Sequence, residues 1–427
     1  NSYIPIVEQV FSNIYHPASI TKQEFILSHL NQWNNISDHT IYCNEIYHTR
    51  TGSRTNQPSK CVAIVSVNES QQSPWFHSHR MGVTAGKTNQ FINDYTRKSN
   101  RIADEEYLYP FLRNRQKVIA EFVSRIGDPM NHTHTLTHPN GRRSLTIMVA
   151  NEGVLNLLLN FICSCAAEGI DLKSVVVFVG QREHVDLIES LGAVPMFLPD
   201  AARMPNKVAG SYGDKVFGRM MWLKVTAVYI ALSAGFNVLF QDTDLVWFRD
   251  PMSYLHTLSY DVAFMDDGAR SPRFSPFYAN SGFYFLTYNM KTLYLMERML
   301  YSTSEIDYTH SHQGTLTKYL TEAHHSVGLS VKILDPTEFP SGKMFHHSKG
   351  YMAKLRAHAI KPYVFHMCWT SNSVDKVKNF KSIDKWYLRD HGGCENAQNI
   401  LSYSRSSRER KKSLLDSCCV NPVTRTV

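Results

Sequence analysis

No apolar run in the 427 residues approaches the roughly 18 needed to cross a bilayer. A membrane span inside the chain is therefore not expected. No Cys/His spacing resembles a zinc site, and no internal repeat is present, which removes zinc modules and solenoids. Charge of one sign is not in great excess either. The net +8 owes much to one run near the C-terminus, "SRSSRERKK" (Ser404 to Lys412), which reads as a solvated tail. No aromatic residues interleave with those bases, so nucleic acid is not expected as a partner. What remains is ordinary globular composition, 43% apolar and 19% charged, enough for a sizeable core. The length suits two or three domains, or one large embellished one.

Eight cysteines and three Asn-x-Ser/Thr sequons, at Asn35, Asn68 and Asn131, favour a secretory compartment over the cytosol. Cys43 and Cys61 flank a polar loop and could pair. Cys163 and Cys165 fall on one expected helix, a poor geometry for pairing with each other. The chain starts at Asn1, and the full-length form is expected to carry an N-terminal membrane anchor.

Three regions are expected: 1–143, 144–393 and 394–427. The first is polar and irregular and reads as an accessory or stem segment. It contains one strand candidate, "CVAIVSV", and a helix over Asn100–Gly127 interrupted near Pro110. From Ser144 strands and helices alternate. "SLTIMVAN", "SVVVFVG", "AVPMFLP", "FNVLF", "DVAFMDD", "SGFYFLTY" and "SVKILDP" read as strands, and "KPYVFHMCW" ends the ordered pattern. Helical segments separate several of them. The pattern predicts an α/β fold with a mostly parallel sheet flanked by helices. Lys215, Arg219 and Trp222 fall on a different face of their helix from Val216, Met220 and Leu223, and are expected at the surface. The last region, 394–427, reads as a basic tail with little structure beyond what Cys394, Cys418 and Cys419 tie down.

The stretch "GFNVLFQDTDLVWFRDP" places Asp242 and Asp244 at the carboxyl end of a buried strand. Residues i and i+2 of an extended segment point the same way, so the two carboxylates repel, and a hard divalent cation would relieve that. In open α/β sheets ligands bind at this edge. The plainer alternative is a solvated strand end in which Asp244 or Asp250 caps a following turn or helix.

"GFNVLFQDTDLVWFRDP", "YANSGFYFLTYN", "FPSGKMF" and "YVFHMCWTSNSVDKVKNFKSIDKWYL", in that order, resemble the nucleotide-diphospho-sugar transferases of glycosyltransferase family 77. The resemblance covers roughly Ser144 to Leu388 and implies a GT-A-like (Rossmann-like) fold. It further implies configuration-retaining transfer from a UDP-sugar to a glycan or glycoprotein acceptor and a Mn²⁺ or Mg²⁺ cofactor; the sequons and cysteines add the expectation of a Golgi lumenal location. On it, Asp242, Asp244 and His366 are the metal ligands; taken alone, His366 would read as a core histidine. Asn151, Lys224, Asp242, Ser281, Gly282 and Lys376 contact the donor, with Arg219 competing with Lys224, and Lys378 and Lys381 with Lys376. Gln313, Asn280 and Asp267 face the reacting sugar. The family's usual Asp-Gln pair is His312-Gln313 here, which removes one acid from the site. Two other readings stand beside this one. Asp242-Thr243-Asp244-Leu245-Val246 also satisfies the motif of haloacid-dehalogenase-type aspartyl phosphotransferases, with Asp242 as nucleophile. The His312 departure would suit a non-catalytic glycosyltransferase-like subunit.

Overall fold

The computed structural model describes residues 47–49, 59–61, 103–131, 138–199, 215–268, 278–389, 394, 399–400 and 411–420. Cys43, the sequons at Asn35 and Asn68, and most of "CVAIVSV" lie outside them; Asn131 is exposed. Upstream, β1 (Tyr47–Thr49) and β2 (Ser59–Cys61) pair antiparallel.

The domain is built on a seven-stranded sheet. Its strands are β3 (Ser144–Ala150), β4 (Val175–Val179), β5 (Val194–Met196), β6 (Asn237–Gln241), β8 (Val262–Asp266), β9 (Ala279–Leu286) and β10 (Val331–Ile333). The order is β10-β8-β9-β6-β3-β4-β5. Every neighbouring pair is parallel except the two made by β9 with β6 and β8. The expected α/β architecture with a mostly parallel sheet is thus the one observed. β3, β4, β6, β8 and β9 are buried along their whole lengths, because helices cover both faces of the sheet. Their apolar runs follow from that double burial. A second, two-stranded sheet pairs β7 (Leu245–Trp247) antiparallel with β11 (Val364–His366).

The helices that matter for the site are α1 (Tyr109–Ile126), α2 (Leu155–Ala167), α3 (Val185–Ser190), α4 (Lys215–Ser233), α5 (Pro251–Leu255), α6 (Met290–Leu300), α7 (Thr303–Thr309) and α8 (Gln313–Val327). They are followed by α9 (Gly342–His347), α10 (Lys349–Arg356), α11 (Ser373–Ser382) and α12 (Lys411–Cys418). One core holds apolar residues of α1, α4, α6 and α8; the other holds those of α2, α3, α10, α11 and the small sheet.

Three details differ from the sequence reading, and a fourth extends it. Pro110 does not interrupt the helix: a π-helical turn, Asp104–Leu108, runs directly into α1, and Pro110 sits at that junction. Packing also begins upstream of residue 144. Phe111 meets the rings of Trp222 and Tyr229, and Phe122 meets Phe178 and Phe236. Each such buried aromatic contributes on the order of 1.5–3 kcal/mol. Trp222 is therefore a core residue, not a surface one.

Third, the Val216–Ser233 part of α4 is long and apolar enough to cross a membrane, yet 72% of it is buried inside the fold. It is the core helix. Last, the C-terminal segment is tied down by Cys163–Cys419 and Cys394–Cys418. Those links hold α12 and its bridge from Cys419 to Leu388 against the domain. Cys165 is buried and free.

Candidate metal and donor site

The parallel strands deliver their carboxyl ends to one edge of the sheet. β3 leads directly into Asn151, β6 into Asp242 and β8 into Asp267. Because β9 runs the other way, its beginning, Asn280-Ser281-Gly282, arrives at the same edge. The Asp242 N–H donates to the Gly282 carbonyl at 2.9 Å, continuing the β6–β9 ladder by one step. A cleft of about 670 Å³ opens here, lined by Asn151, Lys224, Asp242, Asp244, Asp267, Asn280, Ser281, Gly282, Gln313, His366 and Lys376.

β7 is what brings the third candidate ligand in. Leu245 is registered opposite His366, and the Met367 N–H donates to the Asp244 carbonyl at 2.9 Å. His366 thereby sits beside Asp244, with Nε2 3.3 Å from Oδ1. Asp242, Asp244 and His366 each present a ligand atom, and all three atoms lie within 4.8 Å of one another. Two carboxylates and an imidazole at that spacing suit a divalent cation. Gly282 makes room for the group. A Cβ there would collide with the His366 ring and stand 2.8 Å from Asp242 Oδ2 and 3.0 Å from Asn280 Oδ1.

Each carboxylate already has a lysine. Lys224 Nζ lies 2.5 Å from Asp242 Oδ1, and Lys376 Nζ 2.7 Å from Asp244 Oδ2. Burial acts to raise the Asp244 carboxyl, but Lys376 and His366 outweigh it and hold the group well below the usual carboxylate range. Burial likewise works against a charged His366, and Cys368 and Asp244 reverse it, holding the imidazole well above its ordinary value. Arg219 instead meets Glu106 at 3.5 Å and the Tyr107 ring. Of the three late lysines, Lys376 is the one on the cleft wall, with neither Lys378 nor Lys381 among its lining residues. The capping alternative holds for Asp250, which accepts from the Met252 N–H at 2.9 Å and starts α5. It does not describe Asp244.

Asn280 donates to Asp267 Oδ1 at 2.7 Å and to Cys368 Sγ at 3.3 Å, while its own Oδ1 accepts from the Gly282 N–H at 2.8 Å. Burial raises the Asp267 carboxyl despite its hydrogen bonds. Ser281 Oγ donates to Gln313 Oε1 at 3.4 Å, placing the first residue of α8 over the same floor. Asn151 Oδ1 is occupied by the Gly153 N–H at 3.1 Å. His312 is 1% exposed, its ring edge-on to Phe240. Burial first, and Lys224 second, push it down to about 3. A neutral imidazole thus stands where the resemblance implies an acid.

Cys368 and Trp369 are among the cleft residues that had no expected role. Cys368 is a free thiol whose sulfur accepts from the Gly342 N–H at 3.2 Å. The Trp369 indole donates to Asp267 Oδ2 at 3.1 Å. Their signal lay in plain sight, two and three residues after His366 on one segment.

The Nucleotide-diphospho-sugar transferase family model matches residues 172–380. The chain is 26% identical over 254 residues to the β-arabinofuranosyltransferase RAY1 of Arabidopsis thaliana, covering 55% of this chain and 46% of that one. It is 22% identical over 270 residues to the UDP-D-xylose:L-fucose α-1,3-D-xylosyltransferase 1 of the same plant, covering 58% and 72%. Among solved structures, the glycosyltransferase GlyE of Streptococcus pneumoniae aligns with a TM-score of 0.35 at 12% identity, over 62% of this chain and 65% of that one. The chain spans about half the length of the first relative. The matched stretch, residues 172–380, carries Asp242, Asp244, Asn280, Gln313, His366 and Lys376, and over it the chain is similar to the nucleotide-diphospho-sugar transferase family.

Proposed function

We propose that this protein is a metal-dependent, configuration-retaining glycosyltransferase that moves a sugar, a pentose or galactose, from a UDP-sugar to a glycan or glycoprotein acceptor. The single observation that carries the reading is the meeting of Asp242, Asp244 and His366 within 4.8 Å at the carboxyl edge of the sheet. A divalent cation held there supplies Lewis-acid stabilisation of the departing diphosphate; Mn²⁺ or Mg²⁺ fits an Asp, Asp, His set. Lys224 and Lys376 neutralise the acid pair before the donor arrives, and both line the space a diphosphate would enter. Lys376 serves as a point charge against it. Asn151, which lines the cleft directly after β3, contacts the nucleotide. Ser281 and Gly282 allow the donor sugar to approach backbone. Gln313, Asn280 and the buried Asp267 orient that sugar, and Gln313 lies nearest the anomeric carbon. The two disulfides support folding in an oxidising compartment, consistent with the Golgi lumen.

The aspartyl phosphotransferase reading explains only the Asp242-Thr243-Asp244 stretch and leaves the match over 172–380 without a cause. The test is release of UDP from UDP-arabinose, UDP-xylose and UDP-galactose by purified protein, with and without Mn²⁺. Metal-dependent release from one of them is expected. Absence of UDP binding with Mn²⁺, or a beryllofluoride adduct on Asp242, would overturn the transferase reading.

A further inference from the structure

We infer that the exposed face of Trp369 is the platform on which the acceptor sugar lies. The inference rests on the transferase reading and adds to it the residue that receives the acceptor. Trp369 is 42% exposed, unusual for so large an apolar ring on a cleft wall. It is nevertheless fixed from three sides. Its Nε1–H is held by Asp267 Oδ2 at 3.1 Å. His347 packs edge-on to it, with centroids 5.7 Å apart and planes at 86°. Its backbone follows Cys368, whose carbonyl lies so close to Gly342 that a Cβ on that glycine would fall on it.

Trp369 also has φ 62°, the left-handed region that a bulky residue enters at a cost of about 1–3 kcal/mol. Such strain persists where the surroundings over-determine it, and it clusters at ligand clamps. Here it turns the indole away from the core and onto the cleft.

The position tells which ligand would use the ring. Trp369 is bonded to Asp267, and Asp267 to Asn280; these are the groups assigned to the sugar end of the donor. Asn151, assigned to the nucleotide end, belongs to the opposite side of the β6 strand, since β3 and β9 flank it. A flat apolar surface beside the reacting sugar matches the C–H face of a second sugar ring, whose hydroxyls point outward to the polar rim of Thr370, Ser371 and Asn372. Stacking a sugar's apolar face on an aromatic plane removes apolar surface from water without burying hydroxyls.

The test compares wild type, Trp369→Phe and Trp369→Ala in two titrations. The first uses methyl α-L-fucoside, methyl β-D-galactoside and methyl α-L-arabinofuranoside as acceptor probes, followed by saturation-transfer NMR, which needs no turnover. The second uses UDP with Mn²⁺, followed calorimetrically. For at least one glycoside, W369A is expected to lose binding by about 10- to 100-fold, the fold-change for one buried aromatic contact. W369F, which keeps a plane but not the N–H, is expected to retain most of it. UDP affinity should stay within about twofold in both. A parallel fall in UDP affinity would place Trp369 on the nucleotide and overturn the inference, as would glycoside binding that W369A leaves unchanged or wild type that binds none of the three. Wild type that binds a glycoside through Trp369 but no UDP·Mn²⁺ would sink the transferase reading while sustaining the platform.

Discussion

Replacing Gly282 by alanine adds one methyl group at the point where the acidic pair, the histidine and the donor-sugar segment crowd together. The φ angle of Gly282 is not in the left-handed region, so any penalty comes from contact and not from backbone conformation. The new Cβ would overlap the His366 ring. Asp242 Oδ2, at 2.8 Å, would have to withdraw by about 0.6 Å, and Asn280 Oδ1, at 3.0 Å, by about 0.4 Å, to reach ordinary contact. None of the three can move cheaply: Asp242 is held by Lys224, Asn280 by Asp267, and His366 by its strand pairing. Overpacking of this kind costs about 1–3 kcal/mol, a fall in melting temperature of a few to about 10 °C for a domain of this size. Because two of the displaced groups are candidate ligands, Mn²⁺ affinity should drop by about 10- to 100-fold, the usual effect of disturbing groups around a metal. The control is Gly328→Ala. Gly328 has φ 66°, and a methyl added there would meet nothing within 4 Å, so it should lose about 1 kcal/mol through backbone strain and leave Mn²⁺ affinity alone. Melting curves with and without Mn²⁺, plus a Mn²⁺ titration by electron paramagnetic resonance, read both quantities. If G282A binds Mn²⁺ as tightly as G328A does, the three residues do not form one site.

Asp244→Asn keeps the shape but leaves Lys376 and His366 without their buried counter-charge. Transfer should collapse, and the domain should lose about 3–5 kcal/mol, read by urea unfolding; unchanged stability would mean the Lys376 pair is idle. His366→Ala should raise the Mn²⁺ concentration needed for half-maximal UDP release by at least tenfold, and an unaltered Mn²⁺ requirement would remove His366 from the ligand set. His256 Nε2 lies 2.9 Å from Ser144 Oγ, and burial, then His138, depress it to about 4. Its folded value is below the unfolded 6.5, so its contribution is fully present above about pH 6.5 and is lost as pH falls toward 4. A His256→Gln variant should show a flatter fall in melting temperature over that window, and an equally steep one would clear His256 of the effect.

Much of the sheet was legible because strands buried on both faces must be apolar without interruption, and "SVVVFVG" can hardly be read otherwise. The Asp242–Asp244 pairing was legible for the same reason, since the alternation of an extended segment is local. Other features depended on distant packing. Strand β7 is only Leu245 to Trp247, too short to stand out beside the acidic motif, yet its pairing with β11 is what carries His366 to Asp244. Trp222 lies on a different helix face from the obvious apolar stripe, and it is buried because Phe111 of α1, Tyr107 and the Leu300 carbonyl of α6 meet it there. The link between Cys163 and Cys419 spans 256 positions, and no local spacing foretells a partner so remote.

That link has a consequence of its own. Cys163 and Cys419 close a covalent ring containing β4 through β11, the acidic pair, His366 and Lys376. Ring closure over such a length restricts the unfolded chain by about 5 kcal/mol in the loop-entropy picture. It also changes what proteolysis can do. One cut anywhere between the two cysteines opens the ring without releasing a fragment, so the nicked protein migrates whole until a reductant is added. The site's two halves, contributed by residues more than a hundred positions apart, would stay tethered through such damage.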